Sequence, residues 1–283
     1  MSIYTTTVDT STLGMHLDDP GWIVVDCRFR LNDPAAGERL YNQSHIPGAR
    51  YGHLDRDLAG PVTSASGRHP LPAPRDFADT LGNWGVTTSC QVIAYDDTGG
   101  AIAARLWWLL RWIGHYGTAV LDGGIDAWLA EGRTVDHGLP EVKREVYFST
   151  PVPNLAVDTA AVAAVIESPE MLLVDARSGE RFRGEREPID PVAGHIPGAV
   201  NRPFDQNLAA NGRFLGSDLL RQQWRNILGG CDADRVVHMC GSGVTGCHNL
   251  LAMELAGLEG SKLYPGSWSE WVRDESRPIA LGP

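Results

Sequence analysis

The chain has 283 residues, 43% of them hydrophobic and 21% charged, with a formal net charge of −11. That length is long for one hydrophobic core and comfortable for two, and the composition is that of an ordinary globular protein. The acidic balance argues against nucleic acid or anionic membranes as the main partner, so a small anionic substrate would have to be held by a local positive patch.

The amino terminus, Met1 to Thr7, is polar and lacks the basic–apolar–small pattern of a signal peptide. The richest apolar run, Ile102 to Ile113, is interrupted by Arg105 and Arg111 and falls short of membrane-spanning length. A reducing cytosol is the expected home. The cysteines, Cys27, Cys90, Cys231, Cys240 and Cys247, are scattered and contain no Cys-x-x-Cys pair. Neither a disulfide framework nor a zinc site is indicated, and no metal or cofactor is called for.

In chain order, the first half predicts strands near 22–26, 91–95 and 118–121, with helices near 9–18, 75–82, 100–114 and 123–131. The stretch 137–154 carries Pro140, Pro151 and Pro153 and reads as a linker. The second half predicts helices near 158–167, 216–228, 243–257 and 266–274, and strands near 171–175, 235–239 and 261–264. Short β-branched strands alternating with helices suggest an α/β class, with a parallel sheet flanked by helices in each half. The two halves repeat each other. Val24-Val25-Asp26-Cys27-Arg28 is echoed by Leu173-Val174-Asp175-Ala176-Arg177, and His45-Ile46-Pro47-Gly48-Ala49 recurs identically from His195 to Ala199. The expected organisation is a domain over 1–136, the linker over 137–154, and a second domain over 155–283.

The chemistry is expected at the end of the 235–239 strand. Cys240 is followed by Gly241-Ser242-Gly243 and then by helical spacing from Val244. In a strand–Cys–glycine loop–helix turn, backbone N–H groups can converge on the sulfur while the helix presents its positive end. Both favour thiolate over thiol. The same donors, at Gly241, Gly243, Val244 and Thr245, would bind an anionic substrate beside the nucleophile. Cys247, one helical face away, reads as core. In the first half, aligning Val92–Tyr95 with Val236–Met239 puts Asp96 opposite Cys240, so that domain has no nucleophile.

The segment Cys240 to Thr245 resembles the active-site loop of rhodanese-family sulfurtransferases, specifically the mercaptopyruvate variety. Thiosulfate-preferring members carry basic residues directly after the cysteine, where this chain has Gly241 and Ser242. The two Val-Asp-x-Arg stretches, the paired His-Ile-Pro-Gly-Ala and Tyr264-Pro265-Gly266-x-Trp268-x-Glu270-Trp271 match the family's other signatures. The resemblance is to tandem-domain sulfurtransferases and implies two rhodanese-like domains, only the second catalytic. It also implies a Ser–His–Asp relay of Ser242, His69 and Asp55, in which a carboxylate fixes the imidazole that serves a hydroxyl. It places Arg181 as one of two arginines that grip the substrate carboxylate. The second arginine's position, after Glu187-Pro188, holds Ile189, leaving Arg183 and Arg186 as candidates. His45 and His195 recur in a half without a nucleophile, so they read as turn-fixing residues, and the Asp–Arg pairs read as internal ion pairs.

The implied function is sulfur transfer from 3-mercaptopyruvate or thiosulfate to cyanide or a thiol through a Cys240 persulfide. The alternatives are a persulfide carrier in a sulfur relay, and a cysteine phosphatase. The last would need an arginine shortly after the nucleophile, where this chain has Val244-Thr245-Gly246-Cys247-His248.

Overall fold

A computed structural model describes residues 3–167 and 171–283. The chain forms two compact units. The first comprises residues 1–60, 71–152 and 210–214, and the second residues 61–70, 153–209 and 215–283.

In the first unit the order is β1 (Thr7–Val8), α1 (Thr10–Met15), β2 (Trp22–Asp26), α2 (Ala36–Gln43), β3 (Arg50–Tyr51), α3 (Leu54–Asp57), α4 (Pro74–Asn83), β4 (Gln91–Tyr95), α5 (Ala103–Trp112), β5 (Thr118–Leu121) and α6 (Gly124–Ala130). Its sheet is parallel, in the order β1-β5-β4-β2-β3. β2 and β4 are buried at every position, which is why Trp22-Ile23-Val24-Val25 and Val92-Ile93-Ala94 are continuous apolar runs rather than alternating ones. Alternate residues serve opposite faces. Trp22, Val24, Ile93, Tyr95, Ala119 and Leu121 join one core cluster with Leu13, Tyr41 and Trp128.

The second unit runs α7 (Thr159–Glu167), β6 (Leu172–Asp175), α8 (Gly179–Phe182), β7 (Val200–Asn201), a 3-10 turn (Phe204–Asn207), α9 (Ser217–Leu228), β8 (Val236–Met239), α10 (Thr245–Leu255), β9 (Lys262–Leu263) and α11 (Ser267–Trp271). The parallel order is β7-β6-β8-β9, and a bridge from Ala156 to Leu263 adds a fifth rung beside β9. The sequence repeat is therefore a repeat of topology. In α10 every residue from Gly246 to Met253 is buried, and its two polar members, His248 and Asn249, are both met by the Asn207 amide.

The repeated motifs do the same structural work twice. Arg28 pairs with Asp26 at 2.6 Å and Arg177 with Asp175 at 2.6 Å, all four side chains buried. His45 Nδ1 lies 2.8 Å from the Tyr41 carbonyl and His195 Nδ1 2.8 Å from that of Phe182. Each ring stacks on the aromatic residue that it bonds. Both histidines are turn-fixing residues, as their recurrence implies.

Candidate active site

From β6 the chain crosses to β7 on one side, and from β8 to β9 on the other. The connections diverge between β6 and β8, and open parallel sheets bind ligands at such a point, beyond the carboxyl ends of the strands. Asp175 pairs in register with Met239, so the residues leaving that crevice are Ala176-Arg177 on one strand and Cys240 on the other.

Cys240 is 2% exposed, and the N–H of Ser242 points at its sulfur from 3.5 Å. The turn between β9 and α11 fastens the loop. Cys240 N–H donates to Ser267 Oγ at 3.1 Å, while the N–H groups of Trp268 and Ser269 donate to the carbonyls of Cys240 and Gly241 at 3.0 and 2.8 Å. Ser267 holds a left-handed φ of 53°, rare for a residue with a Cβ, and its hydroxyl donates to the Tyr264 carbonyl at 2.9 Å. Gly243 has φ +74°, and a Cβ there would lie 2.5 Å from the Pro265 carbonyl oxygen. The loop requires glycine at that position. Val244 and Thr245 then open α10, whose N-terminus adds its positive end to the site. Cys247 is buried in α10, with its thiol 3.3 Å from the Gly243 carbonyl.

Ser242 does two things at once. Its N–H faces the sulfur, and its hydroxyl oxygen lies 2.7 Å from His69 Nδ1, with both side chains buried. The segment 61–70, which carries His69, belongs to the second unit. Gly67 N–H reaches Glu270 Oε2 at 3.3 Å and Arg68 N–H reaches Ser269 Oγ at 3.0 Å, so α11 positions this segment as well as the loop. Asp55 lies in the first unit, in the first turn of α3, with its N–H on His53 Nδ1 at 3.1 Å. His53, not Asp55, caps that helix.

A buried network of arginines and carboxylates borders the loop. Arg177 bonds Asp175, approaches Glu187 at 3.4 Å and lies over the Trp268 ring at 4.7 Å. Burial works against its charge, but Asp175, Glu187 and Cys240 together hold it above its ordinary range. Arg181 contacts Glu187 and Asp190, each at 2.9 Å. Burial also opposes the Glu187 carboxylate, yet Arg181 and the N–H groups of Asp190 and Ile189 hold it below the usual range.

The other two arginines of the loop do not fill the place of Ile189. Arg183 is paired with the exposed Glu185 at 2.8 Å, and Arg186 is exposed. Arg183 is itself partly exposed, and neither side chain pairs with a buried carboxylate among the described residues. Ile189 itself engages Glu187 only through its N–H. The residue that does reach the loop is Arg68, 2.7 Å from Asp190. The only sequence signal for it was a basic residue directly before His69.

The first unit contains the matching loop in a filled state. Tyr95 pairs with Asp26 as Met239 pairs with Asp175, which makes Asp96 the counterpart of Cys240. The Asp96 carboxylate is 1% exposed and accepts four backbone N–H groups, from Thr98, Gly100, Ile102 and Ala103, at 2.7–2.9 Å. The strand–loop–helix turn of this fold is thus an anion cradle. One copy is closed by its own carboxylate and the other presents a sulfur.

A cysteine is seated at the switch point of a duplicated parallel α/β unit, with a buried hydroxyl–imidazole pair beside it, which is the arrangement of a candidate thiol-nucleophile site. The chain belongs to the rhodanese family, whose rhodanese-like domain matches residues 9–131 and 158–274. It is 48% identical over 272 residues to the "Probable 3-mercaptopyruvate sulfurtransferase" of Pseudomonas aeruginosa, covering 95% of this chain and 96% of that one. It is 32% identical over 262 residues to the thiosulfate sulfurtransferase of Rattus norvegicus, covering 90% and 86%. Among solved structures it is similar to the 3-mercaptopyruvate sulfurtransferase from Leishmania major, with a TM-score of 0.83, 30% identity, and coverage of 94% of this chain and 74% of that one. Among the described residues, no helix is long and apolar enough to cross a membrane.

Proposed function

We propose that this chain is a cytosolic sulfurtransferase that moves one sulfur atom from 3-mercaptopyruvate, or less readily thiosulfate, to cyanide or a thiol. The observation that carries the reading is the double role of Ser242, with its N–H on the nucleophilic sulfur and its hydroxyl 2.7 Å from His69. The Cys240 thiolate attacks the donor's sulfur. The new S–S bond forms as the C–S bond breaks, and the bonding pair leaves on carbon as the pyruvate enolate. That carbanion takes a proton to become pyruvate, and the persulfide loses the former thiol proton, so charge is conserved. Ser242, with His69 behind it, is the group placed to pass the proton. Asp55 is assigned, on the resemblance, as the carboxylate that fixes the imidazole. In the second half-reaction the acceptor attacks the outer sulfur, and the Cys240 thiolate departs.

The anionic persulfide needs what the Asp96 loop displays in the first unit, namely several N–H groups converging on one negative group. The mercaptopyruvate preference is supported by Gly241 and Ser242 directly after the cysteine, and by the 48% identical relative. The test is steady-state turnover with each donor over a grid of acceptor concentrations. The proposal expects parallel double-reciprocal lines, a higher kcat/KM for 3-mercaptopyruvate, and none of this turnover in Cys240→Ser. Turnover that survives Cys240→Ser contradicts it.

A further inference from the structure

Ser269, in α11, carries two bonds that meet at the hydroxyl–imidazole pair. Its N–H donates to the Gly241 carbonyl at 2.8 Å, and its Oγ accepts the Arg68 N–H at 3.0 Å. Gly241 directly precedes Ser242, and Arg68 directly precedes His69. One buried residue thus holds the neighbour of each group in the 2.7 Å contact between Ser242 Oγ and His69 Nδ1. The two partners of that contact stand 173 residues apart, so no local turn sets their spacing.

The two sides differ in how firmly they are held apart from Ser269. The cysteine loop is also bonded by Ser267 and Trp268. The segment 61–70 contains no helix or strand, and its residues from Pro61 to Ala65 are exposed. It enters the site at Gly67, where a Cβ would lie 2.5 Å from the Gly266 carbonyl oxygen. That close approach demands glycine, the residue with the least restrained backbone. The peptide planes on either side of it are fixed instead by hydrogen bonds, Gly67 N–H to Glu270 at 3.3 Å and Arg68 N–H to Ser269 at 3.0 Å. The Ser269 bond is the shorter of the two and the nearer to His69. The Arg68 side chain is tied to Asp190 at 2.7 Å, but its rotatable bonds restrain the backbone less than a bond on the peptide itself.

We propose that Ser269 is a positioning residue for sulfur transfer, which holds the His69 imidazole against Ser242 and so governs turnover of donors whose leaving group needs a proton. The proposal rests on the sulfur-transfer reading above for the role of Ser242. Ser269 acts through the two backbones that it joins, not on the reacting atoms. A small displacement of the imidazole slows proton transfer steeply. Attack of the Cys240 thiolate on thiosulfate is spared, because sulfite leaves without a proton.

The test is a double-mutant cycle run on two donors. Ser269→Ala removes the acceptor of the Arg68 N–H and keeps the N–H that bonds Gly241. It should lower kcat for 3-mercaptopyruvate at least about tenfold with KM within about twofold, and lower kcat for thiosulfate less than about threefold. In a Ser242→Ala background the same change should cost less than about twofold on 3-mercaptopyruvate, because the contact that it serves is already gone. Gly67→Ala, which displaces the segment from its other side, should repeat the split between donors. Hydrogen exchange reads the geometry without turnover. In Ser269→Ala, peptides covering 66–70 should exchange at least about tenfold faster, while those covering 236–242 keep their protection. Equal losses on the two donors, the same fold-loss in the Ser242→Ala background, or unchanged exchange over 66–70 would each overturn the proposal. Failure of the parent reading looks different: the unaltered chain transfers sulfur from neither donor.

Discussion

Replacing His238 tests how completely the strand that ends at Cys240 is sealed from water. The ring is fully buried in β8, with Trp224 edge-on at 5.5 Å and Met253 Sδ 3.1 Å from Nε2. Its Nδ1 has no hydrogen-bond partner among the described residues. Burial pushes its pKa from 6.5 down to about 3. Between those values the unfolded chain binds a proton on this ring and the folded chain does not. Stability therefore falls as the pH drops through 6.5 toward 3, and above pH 7 the group contributes no pH dependence. At pH 5 the loss is about 2 kcal/mol, from about 1.4 kcal/mol per unit over the roughly 1.5 units below the unfolded value. His238→Leu abolishes that contribution while leaving every other titration common to both proteins. The assay is the opening free energy of peptides from β8 and α10, measured by hydrogen exchange at pH 7.5 and pH 5 and corrected for intrinsic exchange. The wild-type chain should lose about 2 kcal/mol more than the variant between the two conditions. Equal losses would show that the ring is charged or hydrated in the folded state and would refute the reasoning.

Three further outcomes follow from the site geometry. Ser242→Ala should lower kcat for 3-mercaptopyruvate by about 10²-fold, the usual scale of a proton-transfer group. It should lower kcat for thiosulfate far less, because sulfite leaves as a stable anion and needs no proton; side-by-side turnover with the two donors checks this. Gly243→Ala forces a Cβ to 2.5 Å from the Pro265 carbonyl oxygen at φ +74°. The left-handed backbone costs about 1–2 kcal/mol and the overlap about 1–3 more, so chemical denaturation followed through the second unit should show a loss of about 2–5 kcal/mol together with lost activity. Asp96→Asn replaces one acceptor oxygen by an amide that cannot accept the N–H groups of the first-unit loop. It should destabilise the first unit by about 3 kcal/mol in urea unfolding and leave the turnover of the folded protein intact.

The long buried strands were legible in the sequence because a strand covered on both faces is a continuous apolar run. The structure places β2, β4 and β5 at the predicted residues. Helix ends came out shorter than predicted: α1 stops at Met15, α5 spans Ala103–Trp112 and α11 ends at Trp271. Apolar spacing runs on past the last hydrogen-bonded turn, so it overstates helix length. The two-residue strands β1, β3 and β7 carry no period to read, and α2, Ala36-Gly37-Glu38-Arg39-Leu40-Tyr41-Asn42-Gln43, hides its short apolar stripe in a polar stretch. At the site, the cysteine loop announced itself through its glycines, and His69 through its resemblance. Arg68 did not, because what makes it part of the site is Asp190, which is 122 residues away. Arg183 and Arg186 drew attention by clustering with Arg181, but a cluster in sequence says nothing about which guanidinium finds a buried carboxylate. Ser267 was equally silent, since its role depends on a left-handed φ that only the folded turn reveals.

The most direct test of the account is the mass of the protein after incubation with 3-mercaptopyruvate and removal of excess donor. The account predicts a gain of one sulfur atom per chain, localised to the peptide that carries Cys240, discharged by cyanide and absent in Cys240→Ser. No gain, or a gain that maps to another cysteine and survives Cys240→Ser, would contradict it.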